Sequence, residues 1–319
     1  MNSQLELHRT VTTKSKISRH FRTLADQKYL LMMSVPFFIW VIIFRYLPLY
    51  GWTMAFQNYK PGKPIFEQEW VGLEHFKILF REQDFYIALR NTLAMSFLGI
   101  TIGFVTPIVF ALLLNEVRNM AFKKTVQTIS YLPHFISWVI AASMITQMLS
   151  TDGGVVNDIL MKVFGLERPV PFMSMPKAFW FIYIAADMWK EVGWYAIIHL
   201  AAITGVDQEL YEAARVDGCG RLRKIWHVTL PGITPTLIVM LIMNIGWLMS
   251  VGFERQFLLG NHIVENYSRT IDLYALNYGI SMARYSYGTA IGMFQSVVSI
   301  VLVIFANRLA KRIGRGQII

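Results

Sequence analysis

Six stretches of this chain, at about residues 29 to 49, 89 to 115, 125 to 149, 178 to 202, 232 to 252 and 287 to 307, are each long and apolar enough to cross a bilayer. A hydrocarbon core of about 30 Å takes roughly 20 helical residues. A chain that meets this requirement along its whole length folds as one integral membrane domain. Composition agrees: 55% of the 319 residues are hydrophobic and 16% charged, against about 25% charged in soluble domains. A water-facing globule of this composition could not cover its own surface. The expectation is an all-α membrane domain of six helices over residues 29–308, between an N-terminal tail, 1–28, and a short basic tail, 309–319.

An even number of spans puts both ends of the chain on one side. Lys and Arg near span ends favour the cytoplasm, and 17 of the 30 fall in the two tails, the 116–124 turn and the 203–231 loop, counting Arg308 at the edge of the C-terminal tail. Another 12 fall on the opposite side, where Glu67, Glu69, Glu82 and Asp84 offset them, and Lys190 lies within a span. Both termini and the 203–231 loop are therefore expected in the cytoplasm of a plasma-membrane protein. The net charge of +10 is spread along span ends rather than gathered on a soluble face, which argues against nucleic acid as a partner. The single cysteine, Cys219, can form neither an intrachain disulfide nor a redox pair. The first apolar run exceeds a signal-peptide core and is expected to remain as the first span.

Ile17, Phe21 and Leu24 share one helical face in the tail, which suits a helix lying on the membrane surface or, alternatively, a disordered basic tail. In the long 50–88 loop, Trp70, Leu73, Phe76, Leu79 and Phe80 recur at helical spacing. Gly99 and Gly103, and Gly288 and Gly292, are small-residue pairs of the kind that let membrane helices approach closely.

The loop from Gly205 to Pro231 is too patterned for a connector. Asp207 can cap a short helix whose first turns carry Glu209 and Glu212, where the helix dipole favours acidic groups. Gly218 and Gly220 can supply the dihedrals of a sharp turn. Leu222, Ile225, Trp226 and Leu230 then mark one face of a second short helix. Two short helices around a glycine elbow would make a rigid knob.

Glu212-Ala213-Ala214, then Gly218, then Leu230-Pro231 resembles the EAA loop of binding-protein-dependent ABC importer permeases, and Asp217 matches the sugar-transporting branch. Trp70-Val71-Gly72-Leu73-Glu74-His75-Phe76, Asn91-Thr92-Leu93, Tyr131-Leu132-Pro133-His134-Phe135-Ile136-Ser137 and Trp189-Lys190-Glu191-Val192-Gly193-Trp194 are similar to the LplB-like carbohydrate-uptake group. The resemblance covers nearly everything from about residue 29 onward. It implies the type I (MetI-like) importer fold, with the loop seated in a groove of a separate ATPase and Glu212, Ala213, Ala214, Asp217, Gly218, Leu230 and Pro231 as its coupling residues. It also implies a second homologous permease, two ATPase subunits that hold the ATP and magnesium, an extracytoplasmic sugar-binding protein, and alternating access. Its cargo would be oligosaccharides of complex, often acidic, polysaccharides, with alginate fragments the nearest likeness. Cys219 stands where alanine is usual, and the six spans set the chain apart from longer maltose-type permeases.

The chain has no Gly-x-x-x-x-Gly-Lys-Ser/Thr phosphate loop, no His-Glu-x-x-His pair and no nucleophile elbow. It is therefore expected to be non-catalytic, with no cofactor or metal of its own. His134 and His199 read as packing or interfacial residues. Ionisable residues inside a membrane are costly and point to function, and the fourth span carries Asp187, Lys190 and Glu191 within one turn, with Trp194 beside them. Charge beside an aromatic ring suits a sugar pathway, and a neutralised cluster joining two permeases suits it equally. Asn244 and Trp247 on the fifth span are weaker pathway candidates. Two other classes stay open on the residues alone: a secondary transporter or channel using Asp187 and Glu191, and a membrane scaffold or enzyme that docks through the Glu212 loop.

Overall fold

The computed structural model describes residues 27–312; the amphipathic N-terminal segment and the end of the basic tail lie outside them. The fold is helical, with one two-stranded ribbon pairing Gln57 with Trp70 and Asn58 with Glu69. Helix α1 runs Lys28–Phe56, α2 Glu74–Leu79, α3 Gln83–Glu116, α4 Met120–Phe135, α5 Trp138–Met148, α6 Val155–Phe164 and α7 Phe179–Thr204. There follow α8 Gln208–Val216, α9 Arg221–Gly246, α10 Glu254–Leu259, α11 Glu265–Ser268, α12 Ile271–Ala275 and α13 Tyr285–Arg312.

Among the described residues, α1, α3, α9 and α13 are long and apolar enough to cross a membrane. The remaining two expected spans differ from the simple picture for identifiable reasons. The stretch expected as one span at 125–149 is two helices, α4 and α5, bent by 105°. Pro133 turns the end of α4 into a 3-10 segment, and Ser137 starts α5 by accepting a hydrogen bond from the Ile140 amide. The fourth, α7, has 26 residues, about 39 Å at 1.5 Å per residue, so length is not its obstacle. Asp187, Lys190 and Glu191 make it too charged to pass on composition. Four further short helices, α6, α10, α11 and α12, fall where the sequence shows only loop.

The core lies where α3, α7, α9 and α13 meet. Phe85, Met249, Ile271, Tyr274, Tyr287 and Ile291 form one buried cluster at one end, and Ala111, Ala196, Ile203, Val206 and Ile233 form another towards the Glu212 loop. Between Lys28 and Tyr46, α1 buries no residue, as suits a helix whose solvent is hydrocarbon. Of the two glycine pairs, only Gly288 sits at a backbone contact. A Cβ there would meet the Cα of Gly279 at 2.6 Å, whereas Gly99 and Gly292 face open space. Gly193 makes another close approach, because a Cβ on it would collide with the Ser130 carbonyl of α4. The bent pair is thereby pressed onto α7 next to its charges.

Candidate functional site

The Glu212 loop forms the knob that the sequence suggested, with one change in its construction. The Asp207 side chain caps α8 by accepting from the Glu209 amide at 3.0 Å. At the other end Gly218 adopts φ +72°. Its amide donates to the Arg215 carbonyl at 3.1 Å, and the Cys219 amide donates to the Ala214 carbonyl at 2.9 Å. This paired closure of a helix end favours glycine at the left-handed position. Gly220 does not contribute an unusual dihedral: at φ −68° and ψ 169° it is ordinary extended backbone.

The second helix is not short. It begins at Arg221 and continues without interruption to Gly246. Leu230-Pro231, read as its boundary, lies inside it. The turn before the proline, Ile225–Thr229, is widened to a π-helix, in which the Leu230 amide bonds Ile225. Widening a turn makes room for a ring that would otherwise strike the preceding carbonyls. The knob is therefore α8 plus the first turns of a spanning helix. The Tyr211 hydroxyl fastens the two by donating to Thr229 Oγ1 at 3.0 Å, and Val206 packs so closely on Gly232 that a Cβ there would meet it at 2.8 Å.

Of the residues expected to couple to an ATPase, Ala214 is buried, while Glu212, Ala213, Asp217, Gly218 and Pro231 are exposed and Leu230 is half-buried. Val216, Leu222 and Trp226 are 88%, 75% and 68% exposed. The face marked by Leu222, Ile225, Trp226 and Leu230 is split: Ile225 and Leu230 are half-buried, and Leu222 and Trp226 are exposed beside Arg221 and Arg223.

The α7 charges separate into two groups. Lys190 is 4% exposed; its Nζ donates to the His134 carbonyl at 2.8 Å and to Glu191 Oε1 at 3.1 Å. Glu191 Oε2 lies 2.6 Å from His134 Nδ1. The His134 ring in turn stacks on Trp194 at 4.2 Å with planes 2° apart. This cluster fastens the end of α4, just before the 105° bend, to α7. Asp187 turns away from it and pairs with Arg255 of α10, a residue the sequence reading did not single out because it lies beyond the expected end of the fifth span.

Arg255 is held from several sides. Its guanidinium donates to Asp187 and to the Val251 carbonyl, and lies over the rings of Tyr183 at 4.9 Å and Trp138 at 5.5 Å. The turn before it is pinned by Asp272, which accepts from the Gly252 amide at 2.9 Å and from Gln295 at 3.0 Å. Burial pushes the Asp272 carboxyl above the usual carboxylate range.

Two cavities meet at this pair. One, of about 360 Å³, is bordered by Gly99, Phe104, His199, Asn244 and Trp247; the other, of about 490 Å³, by His134, Trp138, Glu191, Phe253 and Glu254. Asp187, Tyr195, Val251 and Arg255 line both. Lys190 and Trp194 line neither of these two. Both volumes fall within the range of about 300 to 1,000 Å³ typical of small-molecule sites. His199, 1% exposed, keeps an Nδ1 without a hydrogen-bond partner in the wall of the first. Among the described residues, no cluster of three or more His, Cys, Asp or Glu is placed to hold a metal.

Comparison with known proteins agrees with this geometry. The chain is 45% identical over 305 residues to the polygalacturonan/rhamnogalacturonan transport system permease protein YteP of Bacillus subtilis (strain 168), covering 96% of this chain and 94% of that one. It is 41% identical over 304 residues to protein LplB of the same organism, covering 95% and 94%. Its fold superposes on a chain of the crystal structure of a bacterial alginate ABC transporter in complex with alginate pentasaccharide-bound periplasmic protein. That match has a TM-score of 0.86 and 40% identity, and covers 93% of this chain and 99% of the other. Residues 95–315, which include the knob, α7 and the wall of both cavities, match the binding-protein-dependent transport system inner membrane component family, and the chain belongs to that family.

Proposed function

We propose that this chain is one of two membrane-spanning subunits of an ATP-driven importer of acidic oligosaccharides. The observation that carries the reading is the knob: an exposed, capped helical elbow rigidly continuous with a spanning helix, on a chain of this family. In the proposed arrangement α7 and the bent α4–α5 unit complete six spans with α1, α3, α9 and α13. Both termini and the knob face the cytoplasm, and an extracytoplasmic binding protein delivers the sugar to the opposite side. A second permease completes the pathway, and two ATPase subunits hold ATP and magnesium. This chain supplies no catalytic group.

The continuity of α9 gives the coupling a physical route. Glu212, Ala213, Asp217 and Gly218, with the outward Leu222 and Trp226 and the neighbouring Arg221 and Arg223, offer the ATPase a surface of mixed charge and apolar groups. Movement of that surface is transmitted through Tyr211 and Thr229 to a helix of 26 residues, about 39 Å long. Asn244 and Trp247 stand at its far end, on the wall of the 360 Å³ cavity. Closure of the ATPases tilts α9 and reshapes that wall with no further linkage.

Acidic cargo is supported by the polygalacturonan and alginate transporters to which the chain is similar, and by the Arg255 guanidinium on the cavity wall. Reconstituted with its companion subunits and binding protein, the transporter is expected to accumulate oligogalacturonate or oligoalginate. A tenfold excess of neutral malto-oligosaccharide should leave that uptake unchanged. Equal uptake of the neutral sugar would overturn the acidic assignment.

A further inference from the structure

We infer that the Asp187–Arg255 pair is an exchangeable partition between the two cavities, and that Arg255 is a carboxylate-binding position in the pathway, with Asp187 as its resident competitor. The inference rests on the importer reading above and adds to it a residue and a sign.

Arg255 differs from a purely structural arginine in its position. Arg255 and Asp187 line both cavities, together with Tyr195 and Val251, so the pair stands where the two cavities adjoin. The side chains of Arg255 and Asp187 remain 23% and 21% exposed, against 5% for Lys190 in the neighbouring cluster. Lys190 is enclosed by its partners, and His134 and Glu191 of that cluster reach only the second cavity; the Asp187 pair lines both. Asp187 is the sole carboxylate bonded to Arg255 among the described residues. The remaining support is neutral: the Val251 carbonyl and the faces of Tyr183 and Trp138. These hold the guanidinium in place whether or not Asp187 is engaged.

The chemistry follows from that arrangement. A guanidinium presents a planar fork of donors that matches a carboxylate, and such charge-assisted bonds are about twice as strong as neutral ones. Leaving a guanidinium unpaired in a largely buried site is costly, so an empty pathway needs a resident carboxylate. A sugar acid entering either cavity can replace it, as one carboxylate leaves the fork and another occupies it. Bonds broken and formed at Arg255 are of the same kind, and the displaced Asp187 carboxylate, which lines both cavities and is partly exposed there, is solvated by the cavity water. A neutral sugar has no group that can make this exchange. The partition would therefore open to acidic units and remain closed to neutral ones, which is selection within the membrane subunit in addition to that of a binding protein.

The sign of the prediction separates this role from a structural one. The assembled transporter, in detergent and without its binding protein, is titrated with a trigalacturonate and with its carboxyl-reduced neutral counterpart. Asp187→Asn removes the competitor, so the acidic trisaccharide should bind about threefold or more tighter than to the wild type. Asp187→Asn combined with Arg255→Gln removes the fork as well and leaves no buried charge unpaired. It should weaken acidic binding by about tenfold or more and leave the neutral sugar's affinity unchanged. Basal ATP hydrolysis of each variant reports whether the assembly is intact. Weaker binding by Asp187→Asn, or equal losses for both sugars in the double variant, would overturn the inference, as would no acidic binding by wild type and Asp187→Asn alike. ATP-driven uptake by the wild type, measured in parallel, keeps failure of the importer reading distinguishable from failure of this assignment.

Discussion

Gly218→Pro is expected to leave the transporter assembled and its ATPase active while lowering uptake per ATP hydrolysed by more than about tenfold. Gly218 sits at φ +72°, which proline, fixed near −65°, cannot adopt. Its amide also donates to the Arg215 carbonyl, and proline has none to donate. Each defect acts at the elbow alone. A Cβ at Gly218 meets nothing within 4 Å, so no packing elsewhere is disturbed. A proline misfit of about 3 kcal/mol or more exceeds the 1.4 kcal/mol that corresponds to tenfold, and α8 can no longer hold its docked angle against α9. Hydrolysis and uptake measured on the same proteoliposomes check this, and a wild-type ratio would contradict a lever role for the knob.

Glu191→Ala is expected to destabilise the membrane domain itself. Removing this carboxylate leaves the Lys190 ammonium, which is almost fully buried, with the His134 carbonyl as its remaining hydrogen-bond partner, and it removes the bond that Glu191 makes to the His134 ring. Breaking a buried pair by deleting one member costs about 3 to 5 kcal/mol, whereas replacing both by apolar groups of similar volume is often near neutral. The midpoint of thermal unfolding of the detergent-solubilised complex should therefore fall by several degrees in Glu191→Ala and recover most of that loss in Lys190→Met/Glu191→Met. If the double variant were no more stable than the single one, the cluster would owe its importance to contacts outside this chain.

Those two results draw on different layers of the sequence. The knob was legible because its information is local: Asp207 before Glu209 signals a cap, Gly218 a helix end, and the Glu212 to Pro231 spacing identifies the family. The continuity of α9 was hidden because Leu230-Pro231 looks like a stop, and only a widened π turn lets the helix pass through it. The charges of α7 were visible as an anomaly but not as two separate groups. Their partners, His134 and Arg255, are 57 and 68 positions away; periodicity along one helix cannot reveal what another helix brings to it. The same limit applies to the third expected span, where Pro133 permits a bend but no local feature sets the 105° between α4 and α5. Arg255 was missed altogether because it follows an apolar run and counted only towards the charge of an outer loop.

Transmission of force from a separate ATPase through the knob is tested most directly by uptake in sealed proteoliposomes of the full assembly with its binding protein. With ATP and magnesium on the knob side, labelled acidic oligosaccharide should accumulate inside above its external concentration, and sodium or proton gradients of either sign should add nothing. Accumulation driven by an ion gradient in the absence of ATP would contradict the account.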